Sequence, residues 1–528
     1  MLQRGGLAEK KVLSHLMNPI LSRLSKYVTF AALLFFFSVS NSTALGSDTL
    51  RSDAKRALHE GDYKKAEACY RSLISENPKD IEARLGLSFS LLKQRTFPEA
   101  YDHAALALKQ NPNSARAHAL IGSVLLKVGN FTVSIQEFRQ ALNLDQNEAL
   151  AIAGLAMIDY FENRPRDSMR GLQRASSLDP SEPDYVYELA RAASLAEKYK
   201  QAADAFERFL AIAPRTDTDR RARIVGLVNF LRFLSTQEKL HQSSGCDQCV
   251  VEFQMLNERP LVSVHLNHAK STFHFIVDTG SQMSVISQDT AQRLNIQPIT
   301  RGGFSEAVGG DGRFEIVYGF LSSLQVGDLR VDRVPVYIRQ FFGSDSARVD
   351  GYLGLKEIKS LLFSIDYSNK TLTFVRKKES KRSRSKSITL NSIEVPLRTT
   401  SSGFLSGEAT IPGLNAPLNF IIDTGASVCV ASEELAKRQE MVPFAQKDRT
   451  KIYGAAGVAE NVRILVFPSI LLGSFSIDKL ISVVLDLRQI SETAGFGQDG
   501  ILGGNFLRHF RLTFDLEDHT LRLESVTP

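Results

Sequence analysis

Two textures of apolar and polar positions divide this chain. From residue 47 to 216, apolar residues recur with helical periodicity among Ala, Leu, Lys and Glu, the spacing of amphipathic helices. After residue 246, short runs alternate apolar and polar positions between Gly-rich turns, the spacing of half-buried strands. Ahead of both, Val28 to Val39 (VTFAALLFFFSV) is apolar almost throughout. Its 12 residues fall short of the roughly 20 that span a bilayer. Arg4, Lys10, Lys11, Arg23 and Lys26 precede it, and small residues (NSTALGS) follow. Residues 1–46 therefore read as an export signal cleaved after Ala44 or Gly46, or as an uncleaved membrane anchor. Either reading places the remainder outside the cytoplasm, in the periplasm or beyond.

The helical half repeats with a step of 34 residues. Pro78, Pro112, Pro180 and Pro214 share one ladder, with Gln146 at the missing rung. Tyr63, Phe97, Phe131 and Tyr199 share a second, interrupted by Pro165. Ala54, Ser88, Gly122, Ala156 and Ala190 form a ladder of small residues, and Leu87, Ile121, Leu155 and Leu189 an apolar one. Small rungs let two helices approach, aromatic rungs fill the space between them, and proline ends each pair. The pattern resembles the tetratricopeptide repeat in five copies: 47–80, 81–114, 115–148, 149–182 and 183–216. The fourth copy departs most (ENRPRDS, 162–168), which predicts a bent or shortened first helix. Residues 217–245 read as a capping helix over 218–241 followed by a linker. The ladders predict a self-contained array, and the resemblance implies a concave face that holds a protein partner.

In the second half one phrase is written twice. FIVDTGSQMSVIS (275–287) returns as FIIDTGASVCVAS (420–432), its aspartate 145 residues later. From Asp278, glycines follow at +31 and +34 (Gly309, Gly312), and from Asp423 at the same offsets (Gly454, Gly457). DGYLGL begins at Asp350 and DGILGG at Asp499. Twelve residues past Gly354 is Asp366, and twelve past Gly503 is Asp515. This is an internal duplication. FIVD and FIID are apolar runs ending in a carboxylate, which is costly to bury without partners. Gly280 and Gly425 allow a tight turn whose N–H groups face that carboxylate. Thr279 and Thr424 can bond across to the opposite loop. A two-fold arrangement sets Asp278 against Asp423, and two such carboxyls cannot both ionise easily. One keeps a proton while the other takes one from a shared water. Ser281 follows the first DTG and Ala426 the second. A Ser281 hydroxyl donating to Asp278 would make Asp278 the readier of the two to ionise.

Residues 250–526 resemble the aspartic peptidases, on the two DTG phrases and the downstream elements Tyr352-Leu353-Gly354 and Ile501-Leu502-Gly503. The resemblance implies that these elements cross behind the DTG loops and support them. Both halves offer a Gly-rich flap candidate: Val308, Gly309, Gly310 and Gly312 in the first, Tyr453, Gly454, Ala455 and Gly457 in the second. Two flaps and short lobes point to the retropepsin-like branch, fused in one chain. The expected fold is an all-α tetratricopeptide-repeat solenoid, then an all-β bilobal acid-protease fold, a pseudo-dimer of two retropepsin-like lobes. Lobe 1 is set at 246–375, a basic linker at 376–386 and lobe 2 at 387–528. The implied activity is that of an endopeptidase with Asp278 and Asp423 as catalytic residues. The alternative is a non-catalytic peptide-binding scaffold.

Charge and cysteine content change this picture little. The formal charge of +6 is accounted for by the run Arg376 to Lys386 (RKKESKRSRSK), which has no aromatic residue for base stacking and reads as a solvated linker. No nucleic-acid partner is expected. Of four cysteines, Cys246 and Cys249 form a lone CxxC, too few ligands for zinc and suited to a small disulfide loop, while Cys429 lies in an apolar run. No HExxH or GxSxG is present, and neither a metal nor another cofactor is expected.

Overall fold

The computed structural model describes residues 47–306, 313–343, 346–377 and 392–525. The export segment 1–46, the candidates Val308, Gly309, Gly310 and Gly312 of the first flap, and 378–386 of the basic linker lie outside these residues. Packing divides the chain into two compact units, up to Pro112 and from Asn113 onward. Among the described residues no helix is long and apolar enough to cross a membrane.

The first unit holds helices α1 (47–60), α2 (Tyr63–Glu76), α3 (Ile81–Lys93) and α4 (Phe97–Gln110). The small-residue rung acts as its spacing predicts. Ser88 is buried, and its hydroxyl donates to the carbonyl of Ala100 at 2.7 Å, which fixes α3 against α4. The second unit opens with α5 (Ala115–Lys127), α6 (Phe131–Leu144), α7 (Ala149–Phe161), α8 (Pro165–Leu178), α9 (Pro183–Leu195), α10 (Tyr199–Ile212) and α11 (Thr218–Ser235). Here Gly122 lies under the ring of Phe138, and Ser134 donates to the Gly122 carbonyl at 2.8 Å.

Three expectations need correcting. The first helix of the fourth copy is not shortened: α7 has 13 residues, as α5 and α9 do. Pro165 instead stands at the start of α8, where a missing N–H costs nothing. The capping helix ends at Ser235 rather than 241, and strand Gln242–Ser244 already pairs with Leu329–Arg339, so the lobe 1 sheet begins before residue 246. The helices from α5 on are also not self-contained. Phe496 of lobe 2 is 1% exposed, with its ring edge-on to Phe131 and Phe161 at 4.9 and 5.0 Å. Gly497 donates to the Lys127 carbonyl at 2.9 Å. On lobe 1, Phe230 of α11 stacks on Tyr318 at 4.3 Å. Apolar surface on the repeat turns has found a partner in the same chain.

The β half has two lobes joined through one sheet. Lobe 1 contributes a 9-stranded sheet in which the short strand Gly351–Leu353 lies between Val285–Ser287 and Phe273–Val277. Lobe 2 repeats the arrangement, with Gly500–Leu502 between Cys429–Ser432 and Leu418–Ile422. In each lobe the inserted strand runs parallel to the strand that ends in the aspartate. Between the lobes, Leu361–Asp366 pairs antiparallel with Phe510–Asp515. Ser364 faces Thr513 at the centre of that pairing, their hydroxyls 2.8 Å apart. The duplicated segments thus meet about a local two-fold axis, and Phe363 stacks on Phe514 beside it at 6.1 Å. Cys246 and Cys249 are paired as a disulfide at the edge of this sheet.

Candidate active site

Each DTG loop starts where a buried strand stops. The Asp278 amide donates to Leu353 and the Asp423 amide to Leu502, both at 3.0 Å, so the YLG and ILG elements do lie behind the loops. The glycines of those elements are packed tightly: a Cβ on Gly354 would meet the Met283 backbone at 2.7 Å, and one on Gly503 the Val428 carbonyl at 2.7 Å. Gly354 donates to the Ser284 hydroxyl at 2.9 Å and Gly503 to the Cys429 sulfur at 3.2 Å, at matching positions in the two lobes. Burial pushes the Cys429 thiol up to about 12, so it remains a neutral acceptor.

The two loops lock together through their threonines. Thr279 Oγ1 donates to the Ile422 carbonyl at 2.8 Å and accepts from the Thr424 amide at 3.0 Å. Thr424 Oγ1 donates to the Val277 carbonyl at 2.7 Å and accepts from the Thr279 amide at 3.1 Å. Both threonines are fully buried. Four such bonds, each worth about 1 kcal/mol net and more if one partner is removed, hold the lobes in register at the site.

This lock brings the two carboxyls into hydrogen-bonding contact. A Cβ on Gly280 would come within 2.5 Å of the Asp423 carboxyl, and one on Gly425 within 2.5 Å of Asp278 Oδ1. Only glycine leaves room for the facing aspartate. Asp278 Oδ1 accepts from the Gly280 amide at 2.9 Å. Asp423 Oδ1 accepts from two amides, Gly425 at 2.8 Å and Ala426 at 3.1 Å.

Burial raises both carboxyls above the ordinary aspartate range, Asp278 well above it because it also faces the charge of Asp423. Asp423 is held lower by the Gly425 amide, by its hydrogen bond with Asp278 and by the Ala426 amide; an arginine lowers each carboxyl, Arg259 near Asp423 and Arg339 near Asp278. The expectation for Ser281 is thus reversed. Its hydroxyl turns away and donates to the Met283 carbonyl at 2.8 Å. With that donor lost to Asp278 and an extra amide on Asp423, Asp423 ionises first and Asp278 keeps the shared proton.

The second flap is a hairpin of Ala445–Gly454 and Gly457–Leu472, with Gly454 paired to Gly457. Gly457 has φ 131°, a conformation open to glycine. Ala455 and Ala456 form its turn, and Tyr453, 52% exposed, reaches lobe 1, where a Cβ on Gly343 would come within 3.0 Å of its ring. The stem of the first flap, Thr300–Glu306 with Arg313–Val326, is covered by α11, whose Gly226 sits against the backbone of Arg301 and Gly302.

Sequence reading missed the outer latches. Asp350 accepts from the His274 amide at 2.9 Å and pairs with Arg293 at 2.8 Å. Asp499 accepts from the Asn419 amide at 2.9 Å and pairs with Arg438 at 3.2 Å. Arg293 and Arg438 each stand 15 residues past their DTG aspartates, a match within the duplication that could have found them. Arg259 and Arg339, near the dyad, have no such repeat to betray them. Among the described residues no group of His, Cys, Asp and Glu is arranged to hold a metal ion.

Comparison with known proteins agrees on both halves. The aspartyl protease family profile matches residues 262–356 and 408–506, and tetratricopeptide-repeat profiles match 57–124 and 115–148. Tetratricopeptide repeat protein 6 of Homo sapiens is 23% identical over 159 residues, 30% of each chain. Hsp70-Hsp90 organizing protein 3 of Arabidopsis thaliana is 22% identical over 134 residues, 25% of this chain and 24% of its own. The chain therefore spans less than a third of the length of these curated relatives. Among solved structures, the aspartic proteinase of Irpex lacteus is 16% identical, covering 53% of this chain and 98% of its own at a TM-score of 0.37. A thermophilic repeat protein of Thermus thermophilus is 16% identical, covering 34% and 98% at a TM-score of 0.30. The chain carries tetratricopeptide repeats followed by an aspartyl-protease region.

Proposed function

We propose that this aspartyl-protease region is catalytically competent and that the chain is an aspartic endopeptidase. The observation that carries this reading is the pair of buried carboxyls, one from each lobe, set in contact by the threonine lock. A water between them faces a base and an acid at once. Asp423, ionised, takes a proton from the water as its oxygen bonds to the peptide carbonyl carbon. Asp278 gives its proton to the carbonyl oxygen. Collapse of the resulting gem-diol breaks the C–N bond: the proton held by Asp423 passes to the leaving nitrogen, and one gem-diol hydroxyl returns its proton to Asp278, restoring the starting pair. The tightly packed DTG glycines and the flap from lobe 2 keep bulk water off the pair, which strengthens every charge interaction there.

The pH dependence follows from the directions of the shifts. Activity requires Asp423 ionised and Asp278 protonated. It rises as pH climbs through the lower apparent value of the pair and falls through the upper one. Since burial raises both, the window lies above the pH at which ordinary aspartates titrate, about 3.9. The helical repeats recruit or orient a protein substrate in this reading. The reading includes export, for which the apolar stretch Val28 to Val39 and the Cys246–Cys249 pair are the support. The test is to incubate residues 47–528 with a mixed peptide library across pH, with and without a pepstatin-type inhibitor. Inhibitor-sensitive cleavage supports the reading. Peptide binding with no cleavage at any pH would leave a binding scaffold.

A further inference from the structure

The two lobes differ in chemistry at matched positions near the dyad. Arg339 ends the strand Leu329–Arg339 and is paired with Ser287. In lobe 2, Leu485 ends Phe475–Leu485 and is paired with Ser432. Ser287 and Ser432 each lie nine residues past their DTG aspartates, so Leu485 is the counterpart of Arg339. By the same duplication, Phe314 on the first flap stem corresponds to Ala459 on the second, and Tyr352 to Ile501. In lobe 2, Leu485, Ala459 and Ile501 join one apolar cluster. In lobe 1 the same place holds a guanidinium. It lies over the ring of Phe314 at 5.3 Å and that of Phe341 at 5.9 Å. Its Nε is buried and finds no hydrogen-bond partner among the described residues. The titratable groups that face it are Tyr352 and Asp278.

A guanidinium cannot shed its charge, and an unmet buried donor is costly. Two rings hold its plane, and a carboxylate would satisfy it with charge-assisted hydrogen bonds. We propose that Arg339 is a specificity-determining residue that receives the carboxylate of an Asp or Glu side chain of the substrate on the lobe 1 side of the scissile bond, while the matching subsite in lobe 2 takes an aliphatic side chain. This rests on the endopeptidase reading and adds the substrate class: a peptide with an acidic residue on one side of the cut and an aliphatic one on the other.

The experiment uses residues 47–528 and paired octapeptides identical but for Glu or Gln at the lobe 1 subsite, placed by mapping library cleavage sites. The Glu peptide is expected to lead in kcat/KM by about tenfold to a hundredfold, the range for hydrogen bonds to a charged group. Arg339→Leu, which installs the lobe 2 side chain, should bring that ratio close to one. Arg339→Lys should restore part of it. In the wild-type protein the ratio should also shrink as pH drops below about 4.3 and the substrate glutamate takes up a proton. Equal rates for the two peptides in the wild type, or a ratio unmoved in Arg339→Leu, would overturn the inference. Should turnover be absent, the endopeptidase reading fails on its own. The same pair with a reduced scissile bond, titrated by calorimetry, then decides the inference: a Glu preference lost in Arg339→Leu upholds it, and equal Kd values overturn it.

Discussion

Lobe 1 and lobe 2 frame the dyad with matching hydrogen bonds, to which lobe 2 adds the Ala426 amide on Asp423, and they differ in several side chains beside that frame. Aspartate to inserted strand, glycine to the Ser284 or Cys429 acceptor, threonine to threonine, outer aspartate to arginine: each contact recurs across the local two-fold axis. Side chains next to that scaffold have diverged. Arg339 of lobe 1 has Leu485 as its counterpart in lobe 2. Glu357 stands three residues past Gly354, where lobe 2 has the buried Phe506 three past Gly503. The first flap stem lies under α11, whereas the second flap reaches across to Gly343. The comparison teaches where the constraint lies. The geometry of two facing carboxyls must be symmetric, but their protonation and the walls around them need not be.

The sharpest way to break the comparison is at the dyad. Asp278→Asn and Asp423→Asn should each lower kcat/KM by about a hundredfold to ten-thousandfold or more, the usual loss of an acid or base. Peptide turnover at the wild-type optimum checks this. If one variant kept most of its activity, the lobes would not be equal contributors. Next is the junction with the helices, which lobe 2 makes through Phe496. Phe496→Ala should cost about 3–5 kcal/mol, read from urea unfolding, because the cavity opens between Phe131 and Phe161. A loss under about 1 kcal/mol would mean that the helices rest on lobe 2 without sharing its core.

Glu357 offers a test by pH. It is 1% exposed, neither oxygen has a partner of full hydrogen-bond geometry among the described residues, and burial raises it to about 7, with its own amide and Ser284 drawing it back only in part. An acid raised in the folded state is stabilising when protonated. Its contribution is therefore lost as pH rises from the unfolded value near 4.5 through about 7, by up to about 3 kcal/mol. Glu357→Gln should flatten the fall in stability over that window, measured by denaturant midpoints at successive pH values. Equal slopes in both proteins would show that the carboxyl has found a partner. The smallest effect is expected at Ser281. Because its hydroxyl bonds Met283 rather than Asp278, Ser281→Ala should leave the acidic limb of the pH–rate profile within about 0.3 units of the wild type. A shift of a full unit would return the hydroxyl to the carboxylate.

What could be read from the chain alone follows the reach of each signal. The repeat ladders and the doubled DTG phrase are periodic, so one copy checks another. The pairing of Asp278 with Asp423 was legible for that reason, while the support by Leu353 and Leu502 came from the resemblance to the aspartic peptidases and not from the repeat itself. Pro165 misled because a proline reads as a breaker inside a helix and as a starter at its first position, where it stands in α8. Ser281 misled because a hydroxyl rotates, and nothing in DTGS says which acceptor it will choose. Phe496 seats between helices more than 300 residues away in the chain, and no local pattern marks a side chain for such a distant neighbour. Glu357 and Arg339 were silent because divergence between copies erases the repeat that would have exposed them.

The central claim is that both lobes of one chain build one site. Mixing tests it most directly. Equimolar Asp278→Asn and Asp423→Asn proteins, unfolded together and refolded, should show no more peptide cleavage than either alone, since every intrachain pair lacks one carboxyl. Recovery toward about a quarter of wild-type activity, the ceiling for random pairing between chains, and rising with protein concentration, would mean that lobe 1 of one chain pairs with lobe 2 of another and would contradict the account.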